Sequence, residues 1–277
     1  MKHIEFLSKD NKTKLVGTLW ETSNTKNYVV WIHGFAEHRL RYNDFAHFLN
    51  NNQINFFCFD LRGHGDSSGK RGLILQFEEY LDDVESAIEQ LKEKTDSIFL
   101  CGHSMGGLIL SRYLETRKSP IQIKASVFSS PFLGLGMPVP AWKRKLAEFL
   151  AKPFPALSLP SGLNPKDLSH DETIVNSYIN DPKIFKHATA RWFVECLKNQ
   201  SLAIEESYKI SIPVMVMQGL SDKIVSPEKT KEFYKRLSIS KKDFIGYEDL
   251  YHEILNELPQ FREKVYNDIS KWFKQFL

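Results

Sequence analysis

At 277 residues the chain has the length of one large domain, or of one domain with an insertion. It can bury about three quarters of its unfolded surface, so it needs neither disulfide nor metal for stability. The net charge of +3 arises from interspersed acids and bases, which argues against nucleic acid as a partner. Cys58, Cys101 and Cys196 form no C-x-x-C, lie in or near apolar runs, and read as buried thiols of a reducing compartment. The opening MKHIEFLSKDNKTK has no apolar stretch of secretory-signal length, and nothing approaches the ~18 continuous apolar residues of a membrane span. The expectation is a soluble, cytoplasmic protein, at most peripheral to membranes.

His3–Leu7 and Leu15–Trp20, split by the polar SKDNKT, predict a hairpin. Tyr28–His33 is continuously apolar, as strands covered on both faces are. Phe45, Phe48 and Leu49 sit at helical spacing within 43–51. INFFCFD (54–60) reads as a second buried strand. Phe77, Leu81, Val84, Ile88 and Leu91 then mark one face of a long amphipathic helix. Another short buried strand, a helix and the strand Ala125–Ser129 follow. From about 133 to 201 the rhythm breaks into proline-rich GMPVPAW and KPFPALSLP, then helical sequence, with no convincing strand. It resumes with IPVMVMQG (212–219), a helix from Pro227, KDFIGYED (242–249), and a closing helix. That helix has Pro259 in its first turn and Phe261, Val265, Ile269, Trp272 and Phe276 along one stripe. Alternating buried strands and helices imply an α/β fold with a mostly parallel sheet. The core is expected at 1–132 and 202–277, with 133–201 inserted as a helical cap.

Ligands of such sheets gather at the carboxyl ends of the strands. There lies FLCGHSMGGLIL, with Ser104 between Gly102 and Gly106 at a strand-to-helix turn. Glycines two before and two after let strand and helix approach closely, and the strained turn presents the serine hydroxyl to a cleft. A serine hydroxyl needs a base, itself oriented by a carboxylate. Asp222 follows the strand at 212–219 and His252 follows that at 242–249, in the order nucleophile, acid, histidine. Asp249 is nearer His252 in sequence but is expected at a strand end pointing elsewhere. His103 neighbours Ser104, yet adjacent residues on a tight turn point apart. Backbone N–H groups of Met105, after the nucleophile, and Phe35, in HGFAEHRLRY, are the expected donors to an oxyanion. HGFAEH and YHEILNE lack the H-E-x-x-H spacing of a metal site, and no metal or cofactor is expected.

HGFAEHRLRY, FDLRGHGDSSGKRG, GHSMGG, MQGLSDKIVSPE and YHEILNELP resemble the monoacylglycerol lipase and lysophospholipase branch of the α/β-hydrolases, filed with the S33 serine aminopeptidases. The resemblance implies the α/β-hydrolase fold with an inserted cap, Ser104, Asp222 and His252 as the triad, and Phe35 and Met105 as oxyanion donors. One departure stands out: the family usually has glycine where this chain has Ala36. Glu37 and Arg41 fall in the same motif, either shaping the polar end of the pocket or holding the loop as an ion pair. Asp60, Arg62 and His64 are read as braces of the surrounding loops.

The implied reaction is two-step hydrolysis of a small acyl ester, with monoacylglycerols or lysophospholipids as the leading class. Other esterase, thioesterase or aminopeptidase action is the alternative, since fold alone does not fix function. A non-catalytic binding role fits poorly with an intact Ser, Asp and His set. The apolar side chains of residues 132–163 either receive one acyl chain and touch a lipid surface transiently, or simply pack the cap. Lys143, Arg144 and Lys145 would favour anionic lipid, or are a solvated helix face.

Overall fold

Apolar runs with no polar face are satisfied only in strands covered on both sides. The computed structural model, which describes residues 1–23, 25–137 and 139–277 and omits the side chains of Ala141 and Lys143, resolves them that way. Pro138 of GMPVPAW and the Lys143 side chain therefore lie outside the described residues. The large sheet has strands β1 (Lys2–Leu7), β2 (Lys14–Trp20), β3 (Tyr28–Ile32), β4 (Asn55–Asp60), β5 (Ser97–His103), β6 (Gln122–Ser129), β9 (Val214–Gly219) and β10 (Lys242–Tyr247). Their order is β1-β2-β4-β3-β5-β6-β9-β10. β1 and β2 form the predicted hairpin, β2 runs antiparallel to β4, and every other pairing is parallel.

The pleat sends alternate residues to opposite faces. From β3, Val29 and Trp31 join one core with helices α1 (Asn43–Asn51) and α8 (Pro259–Phe273). Val30 and Ile32 join the other, with α2 (Glu78–Glu89), α3 (Met105–Thr116) and α7 (Pro227–Arg236). Val265, Ile269 and Trp272 of the closing stripe are buried, whereas Phe261, expected beside them, is 38% exposed at the helix start.

Between β6 and β9 lie α4 (Ala141–Ala151), β7 (Ser158–Pro160), α5 (Glu172–Asn180), β8 (His187–Thr189) and α6 (Ala190–Glu206). β7 and β8 pair antiparallel, a correction to the expectation of a strandless insertion. Three residues are too short to show a period, and Pro160 is tolerated because the ribbon is all edge. The boundary expected after residue 201 falls inside α6. That helix is tied to α3 by Arg112, whose Nη1 donates to Glu206 at 2.7 Å and Nε to Asn199 at 3.2 Å. Trp192, Cys196, Ala203 and Ile204 join the main core.

The approach of α3 to β3 carries the tightest steric demand near the sheet's carboxyl edge. A Cβ on Gly106 would stand 2.0 Å from the Ile32 carbonyl oxygen and 2.6 Å from its carbon. Backbone cannot yield as a flexible side chain can, so Gly106→Ala should destabilise by about 3 kcal/mol. Thermal unfolding followed by circular dichroism should show a Tm roughly 6–12 °C lower. An unchanged Tm would mean that the helix slides away freely.

Candidate active site

The turn from β5 into α3 forces Ser104 to φ +52°, ψ −119°, a conformation that costs an L residue of order 1–3 kcal/mol. It is held there by its own backbone bonds. Its N–H donates to the Ser129 carbonyl, and its carbonyl accepts from Gly107, Leu108 and Phe132 at 2.9–3.1 Å. A Cβ on Gly102 would meet the Gly106 carbonyl oxygen at 2.4 Å, so this glycine too is required by close packing.

His252 and Asp222 arrive on turns after the two last strands of the sheet. The Asp222 carboxylate can only accept, so His252 Nδ1 carries the proton and donates to Oδ2 at 2.7 Å. Nε2 is left as the acceptor for the Ser104 hydroxyl, 2.9 Å away. Asp222 is fixed in turn: its Oδ1 accepts from the Ile224 and Val225 amides, and its Oδ2 from Gln218 Nε2 at 3.1 Å. Burial depresses the His252 imidazole, but the charge and hydrogen bond of Asp222, with Glu253 and Glu37 beyond, outweigh it and raise it above its usual 6.5. Asp249 is exposed and makes no part of this chain of bonds.

His33 braces the loop after β3 from both sides. Its Nε2 accepts from the Leu61 amide at 3.0 Å, so its Nδ1–H donates to the Gly34 carbonyl at 2.7 Å. Glu37 Oε1 accepts from the Gly34 amide and from the Tyr42 hydroxyl. A Cβ on Gly34 would lie 3.2 Å from Ser104 Cβ, which puts the following residue, Phe35, beside the serine. Met105 opens α3, where amides have no intrahelical acceptor. Ala36 has φ +61°, the left-handed conformation that glycine takes without strain. The departure at 36 therefore keeps a glycine-like backbone path, at a cost of about 1–2 kcal/mol.

Glu37 and Arg41 form the ion pair that is one of the two expectations, and only Glu37 reaches the cavity wall. Glu37 lies on the wall of a cavity of about 750 Å³ that Ser104 and His252 also line. Arg41 sits behind it, donating to Glu37 at 2.9 Å and in a bidentate pair to Glu253 at 2.6 and 2.7 Å. Burial pushes the Glu37 carboxyl up, but Arg41, His103, His33 and the Tyr42 hydroxyl together hold it well below the usual range. Asp60, Arg62 and His64 turn inward to loop contacts, Arg62 pairing with Asp83 at 2.6 Å and Asp60 with Arg39. The rest of the cavity wall is largely apolar and includes Trp142, Leu146 and Leu150 of α4 together with Phe132 and Ile224.

A family model described as serine aminopeptidase, S33, matches residues 23–259 of this chain. The chain belongs to the S33 family of serine hydrolases. A Bacillus subtilis protein named phospholipase YtpA is 29% identical over 259 residues, 93% of this chain and 99% of its own. Human monoglyceride lipase is 29% identical over 265 residues, 92% of this chain and 85% of its own. The crystal structure of Paleococcus ferrophilus monoacylglycerol lipase superposes with a TM-score of 0.87 at 33% identity, covering 95% of this chain and 99% of that one.

Trp192 lies outside every motif of this S33 site, while Gln218, Glu253 and His103 lie within motifs that give them no role. The Trp192 indole stacks on Phe35 with ring centroids 3.9 Å apart and donates its N–H to the Met105 sulfur at 3.3 Å. In the sequence it is one apolar residue of an amphipathic helix. Gln218 reads as the end of a strand, and Glu253 as a charge after the histidine. His103, expected to point away from Ser104, has its ring on the same cavity wall, 4.9 Å from that of His252, with Nδ1 paired to the Ser129 hydroxyl at 3.1 Å. Burial and the neighbouring His252 push it down to about 4, so it is neutral near pH 7.

His252 must be neutral to accept a proton from Ser104. The rate of covalent labelling by a fluorophosphonate should therefore fall, as pH drops, through a value above 6.5. In Asp222→Asn burial acts unopposed by the Asp222 charge, so the acid limb should move to lower pH while the rate drops about 10⁴-fold. Coincident acid limbs for the two proteins would show that Asp222 does not set the imidazole's titration.

Proposed function

We propose that this protein hydrolyses carboxylic esters of single-acyl lipids, monoacylglycerols or lysophospholipids, through an acyl-enzyme. In this reading Ser104 attacks the ester carbonyl while His252 Nε2 takes its proton. Asp222 holds the imidazole in the required tautomer and stabilises the imidazolium. Phe35 and Met105 amides receive the developing oxyanion, worth roughly 2.7–4 kcal/mol per donor in comparable sites. The imidazolium protonates the leaving alcohol, and the same histidine then activates water against the acyl-enzyme.

The observation that carries this reading is the short hydrogen-bonded path Ser104–His252–Asp222 at one end of an apolar cavity of about 750 Å³. Such a cavity suits an acyl chain, and the names monoglyceride lipase and phospholipase among similar proteins agree with it. Residues 133–201 would act as its cover. The rim adds support for transient contact with a lipid surface: Met137, Trp142, Phe149 and Leu159 are 71%, 64%, 75% and 55% exposed. Among the described residues no helix is long and apolar enough to cross a membrane. The reading takes the protein to be cytoplasmic, with three buried, unpaired cysteines.

Aminopeptidase action is the second reading, favoured by one feature. Glu37 and Glu253 set two carboxylates against the single Arg41 guanidinium on the polar side, which would suit an ammonium group. The deciding measurement is fatty-acid release from a monoacylglycerol and from a lysophospholipid of the same chain, alongside aminoacyl-arylamide cleavage. Wild type should cleave at least one lipid, and Ser104→Ala should lose a factor of about 10⁴–10⁶. Arylamide turnover with no ester turnover would replace the lipase reading by the peptidase one.

A further inference from the structure

Beside the apolar mouth lies a second groove of about 480 Å³, bounded by α6, α7 and Arg144 of α4. Leu135 and Met137 line both cavities, so mouth and groove share a wall. Lys229 and Arg236, seven residues apart on one side of α7, line the groove together with Arg144. The Lys229 stem lies against Gly134, where an added Cβ would stand 2.7 Å from its Cγ. The Lys229 and Arg236 side chains are 50% and 51% exposed. The facing acids are Glu205 and Glu232, and Glu232 pairs with both α7 cations at 2.8 and 3.6 Å. α7 itself carries Lys229, Lys231, Lys235 and Arg236 against Glu228 and Glu232, whereas Lys241 lies over the Trp272 ring and Lys242 donates to the Tyr234 and Leu237 carbonyls. Four cations against two acids give this helix an excess of two positive charges, out of the chain's net +3.

We propose that the apolar rim of the insertion and this basic groove form one docking face for an anionic lipid surface. The inference rests on the lipid-ester reading, and it names the chemistry of the surface and the second element, α7, that meets it. An apolar rim enters the boundary between head groups and acyl chains, while cations beside it remain at head-group level. A zwitterionic surface would satisfy the rim and leave the groove's charge unmatched. An anionic one complements both. A nucleic acid would complement the groove but lie against exposed Met137 and Phe149 with no return.

The test is flotation of the full chain with vesicles of phosphatidylcholine alone or containing about 30% phosphatidylglycerol, the anionic component. Wild type should prefer the mixed vesicles. Each cation near an anionic surface contributes about fivefold in partition, so Arg144→Gln, Lys229→Gln and Arg236→Gln combined should weaken mixed-vesicle binding about a hundredfold. The same variant should bind phosphatidylcholine vesicles unchanged and cleave a short water-soluble ester at the wild-type rate. Salt at about 0.5 M should erase the difference between wild type and variant, since the screening length then falls to a few ångströms. Equal wild-type binding to both vesicles, or an unchanged triple variant, would overturn the proposal. Tighter binding to a DNA duplex than to mixed vesicles would also overturn it, in favour of a nucleic-acid surface. Flotation requires no turnover, so docking without lipid-ester cleavage would sink the functional reading alone.

Discussion

Everything at the carboxyl edge of the sheet depends on how closely α3 approaches the backbone of β3 and β5. Gly106 against Ile32 and Gly102 against Gly106 leave no room for a Cβ. That proximity drives Ser104 into positive φ and brings Gly34 to the serine's side. Moving the helix outward by the width of a methyl would relax the turn and withdraw both Met105 and Ser104 from the loop after β3. The two covered faces of the sheet make such a shift costly, because α3 is packed between β3, α2 and α6.

The electrostatics of the site follow from the same burial. Four histidines lie within it or beside it, and burial alone would make all of them neutral. His33, His64 and His103 are indeed pushed down, and each has its Nδ1 paired to a carbonyl or hydroxyl oxygen. Only His252 goes the other way, because only it faces a carboxylate at 2.7 Å. Arg41 does for the surrounding loops what Asp222 does for the imidazole. One guanidinium joins Glu37, which holds the Gly34 amide, to Glu253, which adjoins His252. The loops after β3 and β10 are thereby fixed relative to each other by buried charge, where unpairing either carboxylate would cost several kcal/mol.

Much of this was legible in the sequence, and the reasons differ from residue to residue. The strands around β3 could be read because parallel strands buried on both faces leave continuous apolar runs. Ser104, Asp222 and His252 could be named because each comes shortly after a predicted strand, although β10 before His252 is a part-exposed edge strand, and the fold brings strand ends together. β7 and β8 could not be read, being three residues long, with β7 exposed throughout and β8 passing from exposed His187 to buried Thr189. The place of Arg41 behind Glu37, and not on the cavity wall, depends on Glu253, which lies 212 residues away along the chain. Trp192 is invisible for a similar reason: an amphipathic pattern identifies a buried face but not what that face touches. Ala36 is the instructive departure: alanine stands where the family usually has glycine, and φ +61° shows that the glycine-like path is kept under strain.

The insertion is mechanically two parts. α6 is bound to α3 through Arg112, buries Trp192 and Cys196 in the main core, and fixes the side chains of Phe35 and Met105 through one indole. α4 and β7 have few buried residues and present Trp142, Phe149, Phe154 and Leu159 outward. Segments with little buried apolar area open at low free energy, whereas those welded to the core open only with global unfolding. α4 and β7 are thus the loosely held part, whereas β8 ends in Thr189, which is buried and donates to the Gly72 carbonyl at 2.7 Å. In the proposed lipid-ester reading a displacement of α4 would widen the cavity, while Phe35 and Met105 stay held by Trp192. In that reading a substrate enters under the loosely held part of the rim and meets residues fixed by the core.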